Sequence, residues 1–512
     1  MVTLARLGPS LGVALVAFVL ARSTLLPGVS FWDTAELQAV GPLMGTAHPT
    51  GFPTYVLLGW LASVVLQPFG EPAFRMNLLS ALSIAVAAGV LVDLVRVLTG
   101  SRLVGVVAGL GLAITPVVWA TGSRAEAHSL HLALVVVLLR LLVEWESRRA
   151  AGDDRADRWL VAAAIAFGLA AGNHSLTLLL APPVGLFVLA VHPGIVRHPR
   201  LVIACAAALV VTLSVLYLEL PLRAGPFRAP LVYGRPETWD GFWYIVLAEQ
   251  FRGSVVDPFG DLGGKLGTLV GRTVSEFGGL AALIPLGFAA TLVRRPRYAL
   301  LSGVAVVLTV FFAASYQNAA IERYYLGPVL MAWTWLGILV VAVAEGLVRV
   351  WRGRTAGRRL SYGSSTGTRT AATVIATALV VVLVAPGVPD RQARVDASDD
   401  DLAARWLDAV LEEVGRDAVI ISWWSFSTPL WYGQLVEGRR PDIEIVDDRT
   451  RLDRELGSIR DVIEANLDAR PVYIIRPASE WRSLEEDYVI DEIQLPVPDS
   501  LGHVTSRRAG TS

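Results

Sequence analysis

The most regular feature of the chain is a series of long apolar segments separated by short polar ones. A membrane-spanning helix needs about 20 mostly apolar residues, and eleven segments come close to that length. They cover residues 9–27, 74–95, 103–120, 128–144, 159–172, 175–191, 201–220, 278–293, 299–315, 324–347 and 371–387. The pattern therefore predicts an all-α polytopic membrane bundle of about eleven transmembrane helices.

One further apolar stretch, residues 53–67, is short and lies between Pro53 and Pro68. We interpret it as a helix in the membrane interface. Arginine placement favours this, because with a cytoplasmic N-terminus every second loop is then basic, as the positive-inside rule requires. The arginines of these loops are Arg96, Arg102, Arg148, Arg149, Arg155, Arg158, Arg197, Arg200, Arg294, Arg295, Arg297, Arg349, Arg352, Arg354, Arg358, Arg359 and Arg369. A signal peptide at residues 1–30 is the alternative for the first run, which is long for one and has no clear cleavage site.

The composition changes near residue 388, which divides the chain into a transmembrane domain (1–387) and a tail (388–512). The tail alternates strand-like runs with helical patterns, which predicts a small α/β domain. The strand-like runs are 418–422, 443–446, 472–475 and 488–495, and the helical patterns are 401–414 and 456–467. After eleven spans the tail is expected outside the cytoplasm, and a Gly/Ser/Thr-rich stretch, 363–370, is expected to be a cytoplasmic linker.

Composition and charge exclude several classes of protein. The chain is 54% hydrophobic and 17% charged, whereas soluble domains carry about 25% charged residues. A water-soluble globular protein and a disordered chain are therefore excluded. The net charge of −1 argues against nucleic acid as a partner. The single cysteine, Cys205, excludes internal disulfides and cysteine-based zinc sites.

The segment richest in candidate chemistry follows the first span and reads FWDTAELQAVGPLMGTAHPTGFPTY, residues 31–55. Asp33 and Glu36 are three apart and would share one face of a helix. Two carboxylates beside a bilayer are costly unless they are solvated, paired or used. The alternative is that Asp33 caps a helix and Glu36 completes a capping box. His48 is either a site residue or a turn residue bonded to backbone.

The other predicted outside loops carry further polar groups near the membrane edge. The candidates in these loops are Arg124, Glu126, His128, Asn173, His174, Arg223, Glu322, Arg323 and Tyr324. Several have a structural alternative: His128 and His131 could hydrogen-bond between helices instead of binding a metal, the turn around Asn173 could be a helix break, and Glu322 and Arg323 could form a mutual ion pair.

The coincidence of these groups on one membrane face favours an enzyme. A transporter would place such groups near the midplane in broken helices, and a channel would use rings or repeated filters. Polar groups around an outward cavity suit an enzyme that takes a lipid-linked substrate from the bilayer and an acceptor from outside.

The ordered motifs WDTAEL, HPTGFPTY, SRAEAHSLH, GNHS, LPLRA and IERYYL resemble a bacterial branch of the GT-C glycosyltransferases. More narrowly, they resemble the once-uncharacterised transmembrane family that includes the plexin-modifying protein O-mannosyltransferase. The similarity runs over about residues 10–390 and is most specific before about residue 180.

The resemblance implies an inverting transferase that moves a hexose, with mannose expected, from a polyprenyl-phosphate donor to a hydroxyl acceptor on a protein or glycan. It implies Asp33 as the catalytic base and Glu36 as a second acid. Arg223, Arg124 and Arg323, in that order, are expected to stabilise the leaving phosphate, and His48, His174 and Glu126 to position sugar hydroxyls or the acids. No cofactor or metal is predicted, although a divalent ion would suit this chemistry. The expected location is the plasma membrane.

Three rival functions stay open. The strongest is a GT-C transferase acting on a lipid or glycan acceptor. A transporter for a lipid-linked sugar would show inverted internal symmetry, and none is evident in the sequence. A non-catalytic scaffold would tolerate replacement of the loop acids.

Overall fold

The computed structural model describes residues 2–355, 365–495 and 500–508. Each of the eleven apolar segments is mostly helical where it is described, so the predicted helical bundle is confirmed. Its helices are α1 (Val2–Ser23), α2 (Trp32–Leu43), α3 (Pro53–Val65), α4 (Pro72–Thr99), α5 (Arg102–Ala113), α6 (Pro116–Gly122), α7 (Ala127–Ala150), α8 (Asp157–Asn173), α9 (Ala181–Val191), α10 (Pro199–Tyr217), α11 (Glu219–Ala224), α12 (Trp239–Val246), α13 (Leu262–Phe277), α14 (Ile284–Arg294), α15 (Pro296–Ser315), α16 (Leu326–Thr355) and α17 (Ser365–Val384). The predicted linker, 363–370, begins outside the described residues.

The length and apolar character of these helices make the chain a multi-pass membrane protein. Within the described ranges, seven helical segments are long and apolar enough to cross a membrane. The number is eight if α5 and α6, which meet at 67°, form one broken span. Shorter apolar helices, Leu7–Ser23, Pro53–Val65 and Ser175–Val191, supplement them. Eleven spans therefore stays a prediction.

Small residues bring the central helices of the bundle close together. Helix α4 packs against α1, α5 and α7. A Cβ at Gly89 of α4 would stand 2.9 Å from the Ser10 carbonyl oxygen of α1, and one at Gly111 of α5 would stand 2.2 Å from the Trp333 ring. Glycine is therefore needed at both contacts, as is common where membrane helices pack.

The two ends of the bundle differ in chemistry. At one end, Arg295 donates to the Leu98 carbonyl oxygen at 2.9 Å, and Arg297 lies 3.3 Å from Glu146. These contacts bring together the arginine-rich loops that follow α4, α7 and α14, and we call this the basic end. The loops that follow α1, α6, α8, α11 and α15 form the opposite end, which we call the site end.

The C-terminal part is a small α/β domain, as predicted. Its helices are α18 (Val388–Val395), α19 (Leu402–Glu413), α20 (Trp424–Trp431), α21 (Asp448–Asp453), α22 (Ile459–Asn466) and α23 (Ala478–Leu484). Its strands are β1 (Val419–Ser422), β2 (Glu444–Val446), β3 (Val472–Ile475), β4 (Tyr488–Gln494) and β5 (Ser500–Arg507). The order across the sheet is β2-β1-β3-β5-β4, with β2, β1 and β3 parallel and β5 antiparallel to both neighbours.

The C-terminal domain packs directly on the site end of the bundle. Ala35 and Ala39 of α2 share a buried apolar cluster with Trp406 and Leu430 of the domain. The backbone N–H of Ala73 also donates to the Tyr432 hydroxyl at 3.0 Å. The small side chains of α2 allow this close approach, which puts the start of α20 beside the start of α2.

Candidate active site

A cavity of about 980 Å³ lies between the site end of the bundle and the C-terminal domain. Five loops of the bundle contribute to its walls, and the C-terminal domain contributes Trp424. The predicted site residues that line it are Asp33, His48, Arg124, Glu126, His128, His174, Glu322, Arg323 and Tyr324. Tertiary structure therefore brings most of the predicted residues into one site.

Asp33 stands in the first turn of α2 and does not cap the helix. The residue at the cap position is Phe31, which makes no capping hydrogen bond through its side chain. One carboxylate oxygen of Asp33, Oδ1, accepts from the Trp424 indole Nε1 at 3.0 Å, and the other, Oδ2, lies 3.7 Å from Arg323 Nη2. The side chain is 34% exposed. It is therefore held from two sides and open to the cavity, so the capping-box alternative is wrong.

Glu36 lies one turn further along α2 and is buried against His48. One of its carboxylate oxygens accepts from the backbone N–H of His48 at 2.7 Å, and the other contacts the ring Nδ1. Burial alone would lower the pKa of His48, but the Glu36 and Asp33 carboxylates raise it to about 9. Glu36 does not line the cavity, and it holds a cationic His48 at the cavity wall.

This ion pair predicts a stability change at alkaline pH. The pKa of His48 in the folded chain, about 9, lies above the ordinary value of 6.5. The contribution of the pair to stability is therefore complete below about pH 6.5 and is lost as the pH rises through about 9. We expect the thermal unfolding temperature in detergent to fall over this range. The fall should be smaller in His48→Gln and unchanged in His198→Gln, and an equal fall in all three proteins would contradict the assignment.

A second carboxylate, Glu126, links Arg323 to His128. Arg323 donates to one oxygen of Glu126 through Nη1, and His128 Nδ1 lies 2.8 Å from the other. Burial alone would raise the pKa of Glu126, but the adjacent Arg323 and His128 lower it well below the ordinary range. Arg323 thus bridges Glu126 and Asp33. The alternative of a mutual ion pair between Arg323 and Glu322 is wrong, since Glu322 faces Arg272 at 3.9 Å.

Aromatic rings form the wall beside Glu126. The rings of His128 and His174 have centroids 4.4 Å apart, and Tyr324 lies 5.4 Å from His128. Burial and the neighbouring histidines lower the pKa of His174 well below its ordinary value. A neutral His174 beside an oriented His128 is suited to hydrogen-bonding sugar hydroxyls. His131 lies 3.4 Å from the Thr177 hydroxyl, a hydrogen bond between neighbouring segments.

The predicted arginines have different surroundings. Arg223 donates to the backbone carbonyl oxygens of Met44 at 2.9 Å and Leu43 at 3.0 Å, and it does not line the cavity. Arg124 lines the cavity and is half-buried, and within the described ranges its guanidinium has neither an ion pair nor a hydrogen bond. Because Arg323 contacts Glu126 and Asp33, the structure puts Arg124 ahead of Arg323 and Arg223 as a ligand for an anion.

Asn173 does not line the cavity. Its side-chain amide donates to the Ala127 carbonyl oxygen at 2.9 Å. Among the described residues, no group of three or more His, Cys, Asp or Glu side chains is arranged to hold a metal ion. The expectation of no metal stays a prediction.

One side of the cavity is apolar. Leu178 and Leu247 line it and are more than half exposed, and Val255 and Phe312 lie in the same wall. The cavity therefore has an exposed apolar wall at these side chains and a charged wall at Asp33, Arg124 and Arg323.

The fold of the chain is shared with solved structures of two other proteins. The chain superposes on ArnT from Cupriavidus metallidurans in the apo state with a TM-score of 0.57 at 13% identity, covering 99% of this chain and 98% of that one. It superposes on the oligosaccharyltransferase AglB from Archaeoglobus fulgidus, in complex with an inhibitory peptide and a dolichol-phosphate, with a TM-score of 0.54 at 13% identity, covering 97% and 74%. ArnT has also been captured bound to undecaprenyl phosphate. The fold is that of the GT-C glycosyltransferases.

Sequence comparison is more specific than the fold. Residues 33–194 match the family model described as "Protein O-mannosyl-transferase TMEM260 N-terminal domain". Protein O-mannosyl-transferase TMEM260 from Mus musculus is 28% identical over 460 residues, which cover 85% of this chain and 62% of the mouse protein. The protein of the same name from Dictyostelium discoideum is 24% identical over 173 residues, 32% of this chain and 21% of that protein. The resemblance predicted from the motifs is confirmed, and the chain spans about three fifths of the length of the mouse relative.

Proposed function

We propose that this chain is an inverting glycosyltransferase that moves a hexose, expected to be mannose, from a polyprenyl phosphate to a hydroxyl group of a protein. The observation that carries the proposal is the Asp33 carboxylate, which faces a large cavity between an arginine of the bundle and a tryptophan of the C-terminal domain. The names of the TMEM260 relatives support mannose and a protein acceptor. The lipid phosphates held by ArnT and AglB support the donor class.

The proposed reaction is a single displacement. The acceptor oxygen forms a bond to the anomeric carbon while its proton passes to Asp33, and the bond from that carbon to the phosphate oxygen breaks with its electron pair going to the phosphate. The anomeric configuration is inverted. Phosphate is already a good leaving group, so the protein needs only to stabilise its charge, which arginine does well.

Arg124 is suited to bind the phosphate of the donor, and Arg323 is suited to orient Asp33. The charge of Arg323 is shared with Glu126 and Asp33, whereas Arg124 faces the cavity without a carboxylate partner in the described parts of the chain. The cationic His48 adds to the positive potential of the same wall. The prenyl chain would follow the apolar wall at Leu178 and Leu247.

The arginine distribution supports the orientation of the protein. Positively charged loops normally remain in the cytoplasm, and the basic end gathers Arg295 and Arg297. On this assignment the site end and the C-terminal domain face the extracytoplasmic side of the plasma membrane, with the N-terminus in the cytoplasm.

The proposal is tested with purified protein in detergent or nanodiscs. Polyprenyl-phosphate mannose and a serine- and threonine-containing peptide are supplied, and product is detected by mass spectrometry, with the anomeric configuration read by NMR. Sugar transfer to a glycan or a lipid, and not to the peptide, would contradict the proposed protein acceptor and support the other acceptor class. Sugar movement across proteoliposomes without a product would favour a transporter and contradict the enzyme.

We expect Arg124→Ala to lower kcat/KM for the donor by about 10-fold to 100-fold, because one charge-assisted contact to the phosphate is lost. The matched control is Arg228→Ala, which removes a guanidinium that is 59% exposed and does not line the cavity. Equal kcat/KM values for the two variants would exclude Arg124 as a ligand of the donor phosphate.

A further inference from the structure

Among the described residues of the C-terminal domain, Trp424 lines the cavity, and its side chain contacts Asp33 directly. Its indole N–H donates to Asp33 Oδ1 at 3.0 Å. The partner of this bond lies at the start of α20, almost four hundred positions later in the chain than Asp33. The carboxylate proposed as the base is therefore held by a different domain from the one that carries it.

Trp424 is itself firmly fixed. It comes after β1, a strand of four buried residues that lies between β2 and β3. Its ring packs edge-on against Tyr233 with centroids 5.7 Å apart, against His48 at 5.8 Å and against Trp431 at 5.9 Å. Because Trp424 follows a buried strand and its ring is packed against other aromatic rings, the orientation of its indole N–H is fixed, as a precise site requires.

The other neighbour of Asp33 makes this fixed donor important. Arg323 Nη2 stands 3.7 Å from Asp33 Oδ2, beyond hydrogen-bond distance, while its Nη1 is bound to Glu126. A partly exposed aspartate that was free to rotate could move onto the guanidinium and form a close ion pair. Such a pair would occupy the oxygen that has to receive a proton.

We infer that Trp424 is a positioning residue, whose indole N–H holds Oδ1 of Asp33 so that Oδ2 faces the cavity and accepts the proton of the acceptor hydroxyl. This inference rests on the proposed function. It assigns the C-terminal domain a part in the chemistry itself, because the base takes its working orientation only when that domain is docked on α2.

The test compares Trp424→Phe with Trp423→Phe. The second variant is the matched control, because Trp423 is the adjacent tryptophan, its ring packs on Trp32 with centroids 5.1 Å apart, and it does not line the cavity. We expect Trp424→Phe to lower kcat about 10-fold to 100-fold, the cost of one hydrogen bond to a charged group, with KM for donor and acceptor unchanged. Trp423→Phe should keep the kcat of the natural protein.

Loss of packing is separated from loss of the hydrogen bond by a second substitution at the same position. A benzothiophene analogue of tryptophan, introduced at position 424 by codon expansion, keeps the shape of the indole and replaces its N–H by sulfur. It should reproduce the fall in kcat and lower the unfolding temperature less than Trp424→Phe does, because only the hydrogen bond is lost. Full activity of this protein would overturn the role of Trp424, and so would equal rates for Trp424→Phe and Trp423→Phe.

These failures differ from failure of the proposed function. If the natural protein transfers no sugar to any acceptor class, the enzyme assignment and the role of Trp424 fall together. If the natural protein is active and Asp33→Asn is inactive, but the Trp424 variants match the natural protein, only the positioning role is lost. The hydrogen bond itself is checked by a double-mutant cycle of Trp424→Phe and Asp33→Ala on the unfolding temperature, in which the two effects should not add, because each substitution removes one partner of the bond.

Discussion

Replacing Asp33 by asparagine should lower the rate of sugar transfer by about 100-fold to 10,000-fold, the range expected when a general base is removed. Asparagine keeps the size of the side chain and can still approach Trp424, but its amide cannot take the proton of the acceptor hydroxyl. Initial rates with polyprenyl-phosphate mannose and a peptide acceptor measure the change. Because the donor site is intact, KM for the donor should stay close to that of the natural protein.

The matched control for Asp33→Asn is Asp401→Asn. Asp401 is 58% exposed in the C-terminal domain and pairs only with the neighbouring Arg405 among the described residues. Its loss should leave transfer unchanged. An Asp33→Asn protein that is as active as the Asp401→Asn protein would exclude Asp33 as the base.

Replacing Arg323 by methionine is expected to have the largest effect on stability, about 3–5 kcal/mol. The change removes the partner of Glu126, whose side chain is only 5% exposed, and leaves a buried carboxylate with a single neighbour, His128. Transfer should fall as well, because Asp33 loses the cation that faces its second oxygen. Thermal or denaturant unfolding in detergent measures the stability, and the transfer assay measures the rate.

Two comparison proteins make the Arg323 prediction specific. Arg297→Met removes an arginine of the basic end that is 48% exposed and pairs with Glu146, and an exposed pair contributes only about 0–1 kcal/mol. Adding Glu126→Gln to Arg323→Met should recover part of the lost stability, because the unpaired charge is gone. If Arg323→Met is no less stable than Arg297→Met, the buried ion pair is not important for the fold.

The sequence indicates which segments contribute to the site, but it does not indicate which of their side chains pair with one another. Asp33, His48, Glu126, His174 and Arg323 are separated by long helices, and only the up-and-down passage of these helices through a membrane predicts that they meet at one end. The pairing of Arg323 with Glu126 in place of Glu322 depends on side-chain directions that adjacency along the chain does not give.

Arg223 and Trp424 illustrate the limits of a motif. Arg223 follows an apolar helix at the predicted outer edge, as a phosphate ligand would, yet its guanidinium binds the backbone carbonyls of Met44 and Leu43. Trp424 stands in the C-terminal domain, where no sequence pattern connects it with α2. The only available signal was a pair of tryptophans directly after a buried strand.

The sequence pattern also does not predict strand β5, for a different reason. Ser500–Arg507 carries few large apolar residues, and it is a strand because it lies between β3 and β4, where both neighbours complete its hydrogen bonds. The sequence pattern indicates no neighbouring strand with which the predicted strand at 488–495 could pair. Pairing of this kind is non-local, so tertiary context outweighs the propensity of the segment.

The sequence by itself determined the helical membrane bundle, the α/β tail and the polar loops that meet at one end, because hydrophobic length and period act locally and can be read from neighbouring residues. Only the tertiary structure decided which arginine faces Asp33, which acid is buried against His48, and that the tail holds Asp33 through Trp424. These contacts depend on the packing of small side chains of α2 against the C-terminal domain, which sets distances between residues that are far apart in the chain.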